Sequence, residues 1–539
     1  MRNKQINTIF SGILIFFALF IVIPAFLLFK NAFTSGGGFS FKNFSDVFEQ
    51  GQLAKAFFNS VKVSSIRAFI TTVLAFVLAY TENFTNLPQG LKKCIRTMAV
   101  FPMLLPTITY GFAIIYSFGR NGLLTQVFHR QFFDFYGFKG LIFGYVIYTL
   151  PISFTLIKNT MSYIDKRYLI VSRIMGDNCV KSFNTAILQP LWGTIAVSLV
   201  QSFFLSFTDF GIPSSIGGRY IVVAELLYNT MLGSIPNFHQ GAVIAIMMLL
   251  PSIVSILILN YLQRFNVRYN KISQIELKKN VVRDAACAVL SFAILFCVLS
   301  IFLVVIVSPF VSEWPYNKAF TFRHLQSVFA DKALVHVFTN SLWVSLLSAV
   351  FGTALVYAAA LVTARSKIHP HGNLVIESMA QITNTIPGMV LGIAFLMAFR
   401  RTPLHNTIII IIACNLVHFF ATPYLMMKGT LDKMNSSWET TATILGDNWI
   451  KTVVRVITPN AVGTLLEVFC YLFINGMVTV SAVVFIAGAK TMVITTKIQE
   501  LQHFAKFNEI FILSILILVT NLLIKTAKGV FNRRKSAEG

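Results

Sequence analysis

Long apolar runs separated by short polar segments make up most of this 539-residue chain. A helix needs about 20 mostly apolar residues to cross a bilayer. Runs of that length lie near residues 9–30, 57–80, 97–118, 139–161, 190–210, 241–262, 285–308, 337–364, 374–398, 406–428, 461–487 and 508–528. The pattern therefore predicts an all-α integral membrane protein with about twelve transmembrane helices, six in each half of the chain.

The composition supports the membrane assignment. Hydrophobic residues make up 56% of the chain and charged residues 12%, whereas soluble domains carry about 25% charged residues. A net charge of +24 would suit a nucleic-acid-binding surface in a soluble protein. In a membrane protein it indicates cytoplasmic loops rich in Lys and Arg. The six cysteines show no metal-ligand spacing, so we expect no metal site.

A short polar segment occurs twice between apolar runs. Residues 172–181 read SRIMGDNCVK and residues 442–451 read ATILGDNWIK, an offset of 270 residues. We call these segments the first loop and the second loop. In each, a glycine can end one short helix because glycine tolerates positive φ, and the Asp or Asn after it can cap a second helix. This predicts a helix–turn–helix knob, and its duplication disfavours an ordinary amphipathic connector.

Further matches extend the duplication along the chain. Asn59-Ser60 matches Asn340-Ser341 at an offset of 281 residues, and Lys158 matches Lys428 at an offset of 270. Each half holds six predicted spans, so the repeats keep the same orientation and are related by an axis along the membrane normal. The predicted divisions are a first six-span repeat, a basic linker and a second six-span repeat, at residues 1–262, 263–284 and 285–539.

The distribution of Lys and Arg sets the expected orientation. The N-terminus, the segments 81–96 and 162–189, the linker and the C-terminal tail are all basic. These segments fall on one side of a twelve-span count if both termini are cytoplasmic. We therefore expect both loops to face the cytoplasm, where a soluble partner can reach them.

These features resemble the permease subunits of binding-protein-dependent ATP-binding cassette importers. Their cytoplasmic signature reads Glu-Ala-Ala, three residues, Gly, and then an apolar stretch ending near a Pro. Gly446 and Pro459 keep the usual separation, and the interval from Gly176 to Pro190 is one residue longer. The Glu-Ala-Ala positions are not kept, although Glu439 lies one place early. The resemblance covers nearly the whole chain.

In that family the loop sits in a groove of the ATPase subunit and transmits ATP-driven closure to the transport path. The resemblance implies this role for both loops of the present chain. The ATPase-coupling residues that it implies are Gly176, Asp177, Asn178, Lys181, Glu439, Gly446, Asp447, Asn448 and Lys451. It also implies two ATPase subunits, an extracytoplasmic solute-binding protein and membrane lipid as partners, in the bacterial inner membrane.

The sequence agrees with a division of labour between subunits. It contains no Gly-x4-Gly-Lys-Ser/Thr phosphate loop and no Gly-Lys pair, so ATP hydrolysis by that route is excluded. We therefore expect a transport subunit and not an enzyme. It would bind no cofactor itself and would depend on ATP held by its partners.

Polar residues near the fifth span of each half mark the expected solute path. An ionisable group in a span is costly and functional by default, although Asp209 would be solvated if it lies at the span end. His418 and Glu467 are isolated by comparison, which favours ordinary interhelical hydrogen bonds. The candidate path residues are Ser206, Thr208, Asp209, Asn475, Thr479 and Ser481.

Four arginines fall on the outer side of the twelve-span count. They are Arg120, Arg219, Arg400 and Arg401. They would suit an anionic solute or an acidic binding protein, because the guanidinium fork donates two parallel hydrogen bonds. The alternative is that they snorkel to the membrane interface without a ligand.

Two groups of fused double permeases resemble this chain in size, one importing ferric iron and the other 2-aminoethylphosphonate. The stretches FTDFGIP at 207–213 and TVSAV at 479–483 look more like the phosphonate group, so we expect a phosphonate, with ferric iron as the alternative. Thiamine and polyamine permeases share the architecture.

Two rivals come from other classes. An ion-gradient-driven secondary transporter would also have twelve spans and a parallel repeat, but would place several charged groups deep in its spans, where this sequence has few. A lipid-modifying enzyme would need clustered His, Asp or Glu, and the sequence shows no such cluster on one face.

Overall fold

The computed structural model describes residues 2–130, 134–262, 279–314, 316–366 and 370–538. Helices form nearly all of the regular structure, which confirms the all-α membrane class. The β-structure in the described ranges consists of two antiparallel hairpins, β1 (Thr34–Ser35) with β2 (Gly38–Phe39) and β3 (Val311–Glu313) with β4 (Asn317–Phe320). Most of the predicted linker, residues 263–278, lies outside the described residues.

The first half of the chain is a succession of long apolar helices and short connecting helices. In chain order they are α1 (Arg2–Phe17), α2 (Ile23–Ala32), α3 (Lys42–Glu49), α4 (Gln52–Phe84), α5 (Gln89–Val100), α6 (Thr107–Phe118), α7 (Leu123–Phe128), α8 (Phe138–Ser162), α9 (Arg167–Ile174), α10 (Cys179–Phe183), α11 (Gln189–Phe207), α12 (Gly211–Ile216), α13 (Val223–Leu232) and α14 (Phe238–Leu262).

The second half follows a similar order. Its helices are α15 (Val281–Val307), α16 (Arg323–Ala330), α17 (Lys332–Arg365), α18 (Pro370–Thr385), α19 (Gly388–Phe399), α20 (Ile408–His418), α21 (Ala421–Asp432), α22 (Ser437–Ile444), α23 (Trp449–Thr452), α24 (Thr458–Val478), α25 (Ile494–His503) and α26 (Phe507–Glu538).

Nine helical segments in the described ranges are long and apolar enough to cross a membrane. They are Gln5–Ala32, Gln52–Phe84, Phe138–Ser162, Cys179–Phe207, Phe238–Leu262, Val281–Phe310, Lys332–Arg365, Trp449–Val478 and Phe507–Phe531. Three bent helix pairs also qualify when each pair is taken together. With each pair counted as one span, the total is twelve, as the sequence predicts.

Two of these bent pairs break sharply at matching prolines. Gln89–Leu104 meets Thr107–Gln126 at 107°, and Gly372–Thr385 meets Gly388–Phe399 at 107°. The two breaks contain Pro106 and Pro387, which occupy the N-cap positions of α6 and α19. Proline has no backbone N–H and favours an extended preceding residue, so it starts a new helix more readily than it continues one. We call these breaks the first hinge and the second hinge.

A π-helical turn joins the short helix at the end of each loop to the long helix that follows it. It covers Asn184–Leu188 before α11 and Val453–Ile457 before α24. Each turn leads directly into a helix with proline near its first position, Pro190 and Pro459. Such π turns are frequent at functional sites in helices, and here they follow the duplicated loops.

The matched Asn-Ser pairs perform the same structural task in both halves. Ser60 Oγ accepts a hydrogen bond from the N–H of Val223 (2.9 Å), at the start of α13. Ser341 Oγ accepts one from the N–H of Ile494 (2.7 Å), at the start of α25. In both cases a side chain of the long second span satisfies a free N–H of a later helix. This supports the direct repeat inferred from the sequence.

The described chain divides into two compact units. Each unit is built mainly from one half of the sequence and also includes the first span of the other half. One unit comprises Met1–Val47, Thr230–Leu249 and Leu325–Gly539. In it, Phe17 of α1 meets Phe420 edge-on with ring centroids 4.9 Å apart. The predicted repeat boundaries remain a prediction about the sequence duplication.

The other unit comprises Phe48–Asn229 and Leu250–His324. The span that this unit includes from the second half is α15. The Phe302 ring of α15 lies edge-on to the Tyr110 ring, with centroids 5.5 Å apart. The Ser291 hydroxyl of α15 also donates to Thr81 Oγ1 (2.7 Å). Aromatic packing and a buried hydrogen bond therefore fix α15 against the helices of the first half.

Candidate functional site

The first loop is closed by local hydrogen bonds around Gly176. Gly176 has a φ of +81°, and the N–H of Asp177 donates to the Ser172 carbonyl (3.1 Å), as in a Schellman cap. Asn178 accepts from the N–H of Lys181 (2.8 Å) and caps α10. The Asp177 carboxylate pairs with Lys181 Nζ (2.6 Å) and accepts from the Ser172 hydroxyl (2.7 Å). The hydrogen bond from Lys181, and to a smaller extent the one from Ser172, holds the pKa of Asp177 below its ordinary value.

The second loop repeats this geometry. Gly446 has a φ of +76°, and the N–H of Asp447 donates to the Ala442 carbonyl (2.9 Å). Asp447 forms an ion pair with Lys451. Asn448 stands at the N-cap of α23 in an extended conformation. Both loops therefore share a positive-φ glycine and an Asp–Lys ion pair. They differ at the N-cap, where the Asn178 side chain accepts a hydrogen bond and the Asn448 side chain makes no capping hydrogen bond.

Each loop presents a pair of exposed apolar side chains just before its glycine. Ile174 and Met175 are 79% and 77% exposed, and Ile444 and Leu445 are 81% and 75% exposed. We call these the first and second apolar pairs. Exposed apolar residues flanked by charges are typical of a surface that a partner covers. The charged and capping residues thus shape the turn, and the apolar pairs form its tip.

Glu439 lies apart from that tip and is buried in an ion pair with Arg365. Arg365 Nε and Nη2 donate to the two carboxylate oxygens of Glu439, each at 2.5 Å. Arg365 also donates to the carbonyls of Met434 (2.7 Å) and Asn435 (2.9 Å). A bidentate pair of this kind fixes orientation as well as distance. Because Arg365 is the last residue of α17, the second loop is tied to the end of that long span.

The positions that match this ion pair carry no charge in the first half. At the repeat offsets, Arg365 corresponds to Phe84 and Glu439 corresponds to Leu169. A buried carboxylate close to the Phe84 position, Glu82 of α4, pairs instead with Arg96 of α5 and lies 3.7 Å from Lys158 Nζ. Sequence reasoning did not name Arg365. The available signal was an arginine at the end of a predicted span with an acidic residue in the next polar loop.

The candidate path residue Ser206 belongs to a buried cluster around Arg67. The Arg67 guanidinium donates to the hydroxyls of Thr149 and Ser206 and to the carbonyl of Ser202. Its charge also lies 5.7 Å from the centroid of the Tyr145 ring. Arg67 therefore joins α4, α8 and α11. Sequence reasoning missed it, although a lone arginine inside the apolar run 57–80 was a detectable signal.

Asp209 is buried just after α11, next to the first hinge. Its carboxylate accepts hydrogen bonds from the N–H of Ile212 (3.0 Å) and from the side chain of Thr107. The Thr208 hydroxyl turns back to the Phe204 carbonyl (3.0 Å). Asp209 thus links the start of α12 to the start of α6.

The candidate path residues of the second half lie in two places, the end of α24 and the second hinge. The Asn475 amide donates to the Tyr471 carbonyl in its own helix (2.8 Å), and the Thr479 carbonyl accepts from the Thr495 hydroxyl (2.6 Å). Ser481 lies at the second hinge, where a Cβ added to Gly388 would be 2.5 Å from Ser481 Oγ.

The four outer arginines are all exposed. Arg120 lines a cavity of about 520 Å³ together with Tyr116, Asp134 and Trp314. The Arg400 guanidinium lies 4.8 Å from the centroid of the Phe238 ring. In the described ranges, no group of three or more His, Cys, Asp or Glu residues could hold a metal ion.

A helical membrane protein with two closed loops and buried polar hinges has the architecture of a transport permease. The family model of the binding-protein-dependent transport system inner membrane component matches this chain twice, at residues 71–269 and 356–537. These matches cover more than half of the chain, so the protein belongs to this family. It is a multi-pass inner membrane transport subunit and not an enzyme. It works with ATPase and binding-protein partners, and the ATPase partners hydrolyse ATP.

Three curated relatives place the chain within the family. FbpB of Actinobacillus pleuropneumoniae, a ferric transport system permease protein, is 24% identical over 514 residues, which cover 92% of this chain and 73% of that one. FbpB 1 of Haemophilus influenzae, whose name assigns it provisionally to a ferric transport system, is 24% identical over 504 residues, 89% of this chain and 77% of that one. The molybdenum transport permease ModB of Escherichia coli is 22% identical over 218 residues, 38% of this chain and 92% of that one.

Proposed function

We propose that this chain is the permease of a ferric iron importer. The observation that carries the proposal is the likeness to two ferric permeases along 92% and 89% of the chain. The molybdenum permease matches only 38% of it, which corresponds to one half of the fused chain. The relatives give no support to the phosphonate expectation, so ferric iron replaces it as the proposed solute.

In this proposal both termini and both loops face the cytoplasm, and each loop docks on one ATPase subunit. The basic loops support the orientation, because Lys and Arg are retained on the cytoplasmic side. The two apolar pairs supply the contact surface, and the closed Gly-Asp-Asn-Lys turns hold it in shape. ATP-driven closure of the ATPases then pushes on both loops and rocks the spans between inward-facing and outward-facing states.

The outer arginines act in docking and not in cargo contact. Arg120, Arg219, Arg400 and Arg401 are exposed, and a positive rim repels a ferric ion. The same charges attract acidic side chains of a solute-binding protein and steer its approach. We therefore expect docking to weaken as ionic strength rises.

The proposal is tested by uptake of radioactive iron. Cells that lack their own ferric importers receive this chain together with its ATPase and its binding protein. We expect ATP-dependent iron uptake that requires all three components and is unaffected by excess 2-aminoethylphosphonate. Uptake of labelled 2-aminoethylphosphonate without uptake of iron would contradict the proposed solute and would restore the phosphonate prediction.

A further inference from the structure

Buried polar atoms without hydrogen-bond partners gather on α20, beside the second hinge. Asn415 is 1% exposed, and both its amide oxygen and its amide nitrogen lack a partner within the described residues. The buried Nδ1 of His418 also lacks a partner there. Most buried polar side-chain atoms in proteins are hydrogen-bonded, so an unpaired amide and imidazole on one helix point to a water or a ligand atom as their partner.

The geometry brings these groups to one place. Asn415 and His418 are three residues apart, so they share one face of α20. A Cβ added to Gly388 would lie 3.2 Å from His418 Nε2 and 2.5 Å from Ser481 Oγ. His418 and Ser481 therefore approach the hinge from two sides, and the bare Gly388 backbone leaves room for both.

At the matching place in the first half, polar groups find partners among the side chains of the protein itself. Tyr145 and Tyr148 correspond to Asn415 and His418 at the offset of 270, and Thr107 corresponds to Gly388 at the offset of 281. Thr107 bonds to Asp209, and the Tyr145 ring packs beside Arg67. Within the described residues, the first hinge is closed by its own side chains, whereas Asn415 and His418 beside the second hinge keep unpaired polar atoms.

We propose that Asn415, His418 and Ser481 form a cargo-contact site in the second half of the chain. The proposal rests on the proposed function and names the residues that meet the metal cargo. An imidazole nitrogen, an amide oxygen and a hydroxyl oxygen offer lone pairs to a metal cation or to its bound waters. The three groups include no carboxylate, so the cation is held briefly and released, as transport requires.

Asn415→Leu in the full transporter tests the contact. The change removes both unpaired amide atoms and keeps a similar volume. In proteoliposomes containing the ATPases, we expect the KM for iron delivered by the binding protein to rise about tenfold or more. ATPase stimulation by the loaded binding protein should stay within about twofold of wild type, because folding and coupling are intact. Ser481→Ala is a milder second variant with the same expected direction.

The matched control is Asn31→Leu. The Asn31 amide already donates to the Leu27 carbonyl of its own helix (2.8 Å), and it lies outside the hinge. We expect its iron KM to be unchanged. An unchanged KM in both Asn415→Leu and Ser481→Ala would overturn the contact and leave an ordered-water cavity only.

A second measurement is independent of the solute. Ser481→Cys and His418→Cys are made in a chain whose native cysteines have been replaced, and each is exposed to a small hydrophilic methanethiosulfonate reagent. We expect labelling that differs between the nucleotide-free and the vanadate-trapped transporter. A chain that retains only the buried Cys414 should stay unlabelled. If neither new cysteine reacts in either state, the site is overturned whatever the solute. If they react but the wild type carries no iron, only the proposed solute fails.

Discussion

At the scale of single residues, the second loop depends on one buried charge pair. Arg365 and Glu439 are both buried, and each satisfies the hydrogen-bonding groups of the other. A buried pair of this kind contributes little net stability compared with apolar residues of the same size, but losing one partner leaves an uncompensated charge. The first half illustrates the alternative, because Phe84 and Leu169 stand at the matching positions.

This comparison predicts a non-additive pair of substitutions. Arg365→Met alone should destabilise the protein by about 3–5 kcal/mol, because the Glu439 carboxylate is left buried and unpaired. Arg365→Met combined with Glu439→Leu should recover most of that loss, since no buried charge is left unpaired and both positions become apolar, as they are in the first half. Thermal unfolding and co-purification of the ATPase measure both variants. A double variant no more stable than Arg365→Met would contradict this account.

The two loop glycines give a second prediction at this scale. Gly176 and Gly446 have positive φ and open space around the position of a Cβ, so backbone strain alone opposes a side chain. Gly176→Ala or Gly446→Ala should cost about 1–2 kcal/mol and weaken association with the ATPase. Gly463→Ala is the matched control, because that helical position is equally open and has no positive φ. The prediction is refuted if all three variants bind the ATPase alike.

At the scale of elements, the loops are short helices whose apolar ends have no cover within their own unit. Both apolar pairs lie just before the loop glycine and have nearly the same exposure. The elements beneath them differ: α22 is pinned to α17 by an ion pair, whereas α9 has an apolar residue, Leu169, at the matching position. Because the apolar pairs are alike, we expect similar docking contacts at the two loops. Because α22 is held by an ion pair and α9 is not held by a matching one, we expect the two loops to transmit force unequally.

Replacing an apolar pair with serine tests the docking role. Ile174→Ser with Met175→Ser, or Ile444→Ser with Leu445→Ser, should each reduce ATPase co-purification, since covering one such side chain contributes about 1.5–3 kcal/mol. Uptake should fall in parallel. Ile235→Ser is the control, because Ile235 is 87% exposed in the connection between α13 and α14. ATPase association unchanged by either double substitution would remove the loops from the proposed interface.

The spans and the loops can be predicted from the local sequence pattern. The two hinges and the Arg365–Glu439 ion pair cannot. Length and hydrophobicity suffice for twelve spans, and Gly176 and Gly446 mark their turns because glycine is needed at positive φ. The 107° breaks depend on how two helices pack after a proline, which the apolar pattern does not record. The pairing of Arg365 with Glu439 joins residues 74 positions apart, and only the folded chain brings them together.

At the scale of the whole molecule, the two sequence halves are not the two structural units. The N-terminal span belongs to the unit built from the second half, and α15 belongs to the unit built from the first. Without α15, the buried surface of Tyr110 and the hydroxyl of Thr81 would lose their partners Phe302 and Ser291. Burial of apolar surface is the main source of stability in a folded unit, so each half depends on the other for completion.

This exchange predicts how fragments of the chain behave. Residues 1–262 or 263–539 expressed alone should be degraded, and co-expression of the two should yield a co-purifying pair, because each fragment supplies the span that the other lacks. Residues 48–324 are the matched fragment, since they contain every segment of the unit that includes α15. Their yield and thermal stability should exceed those of residues 1–262, even though the two fragments are similar in length. Yield, size-exclusion behaviour and thermal unfolding compare the fragments. If residues 1–262 alone were as stable and monodisperse as residues 48–324, α15 would add no stability to its unit. The proposed dependence of each half on a span of the other would then be wrong.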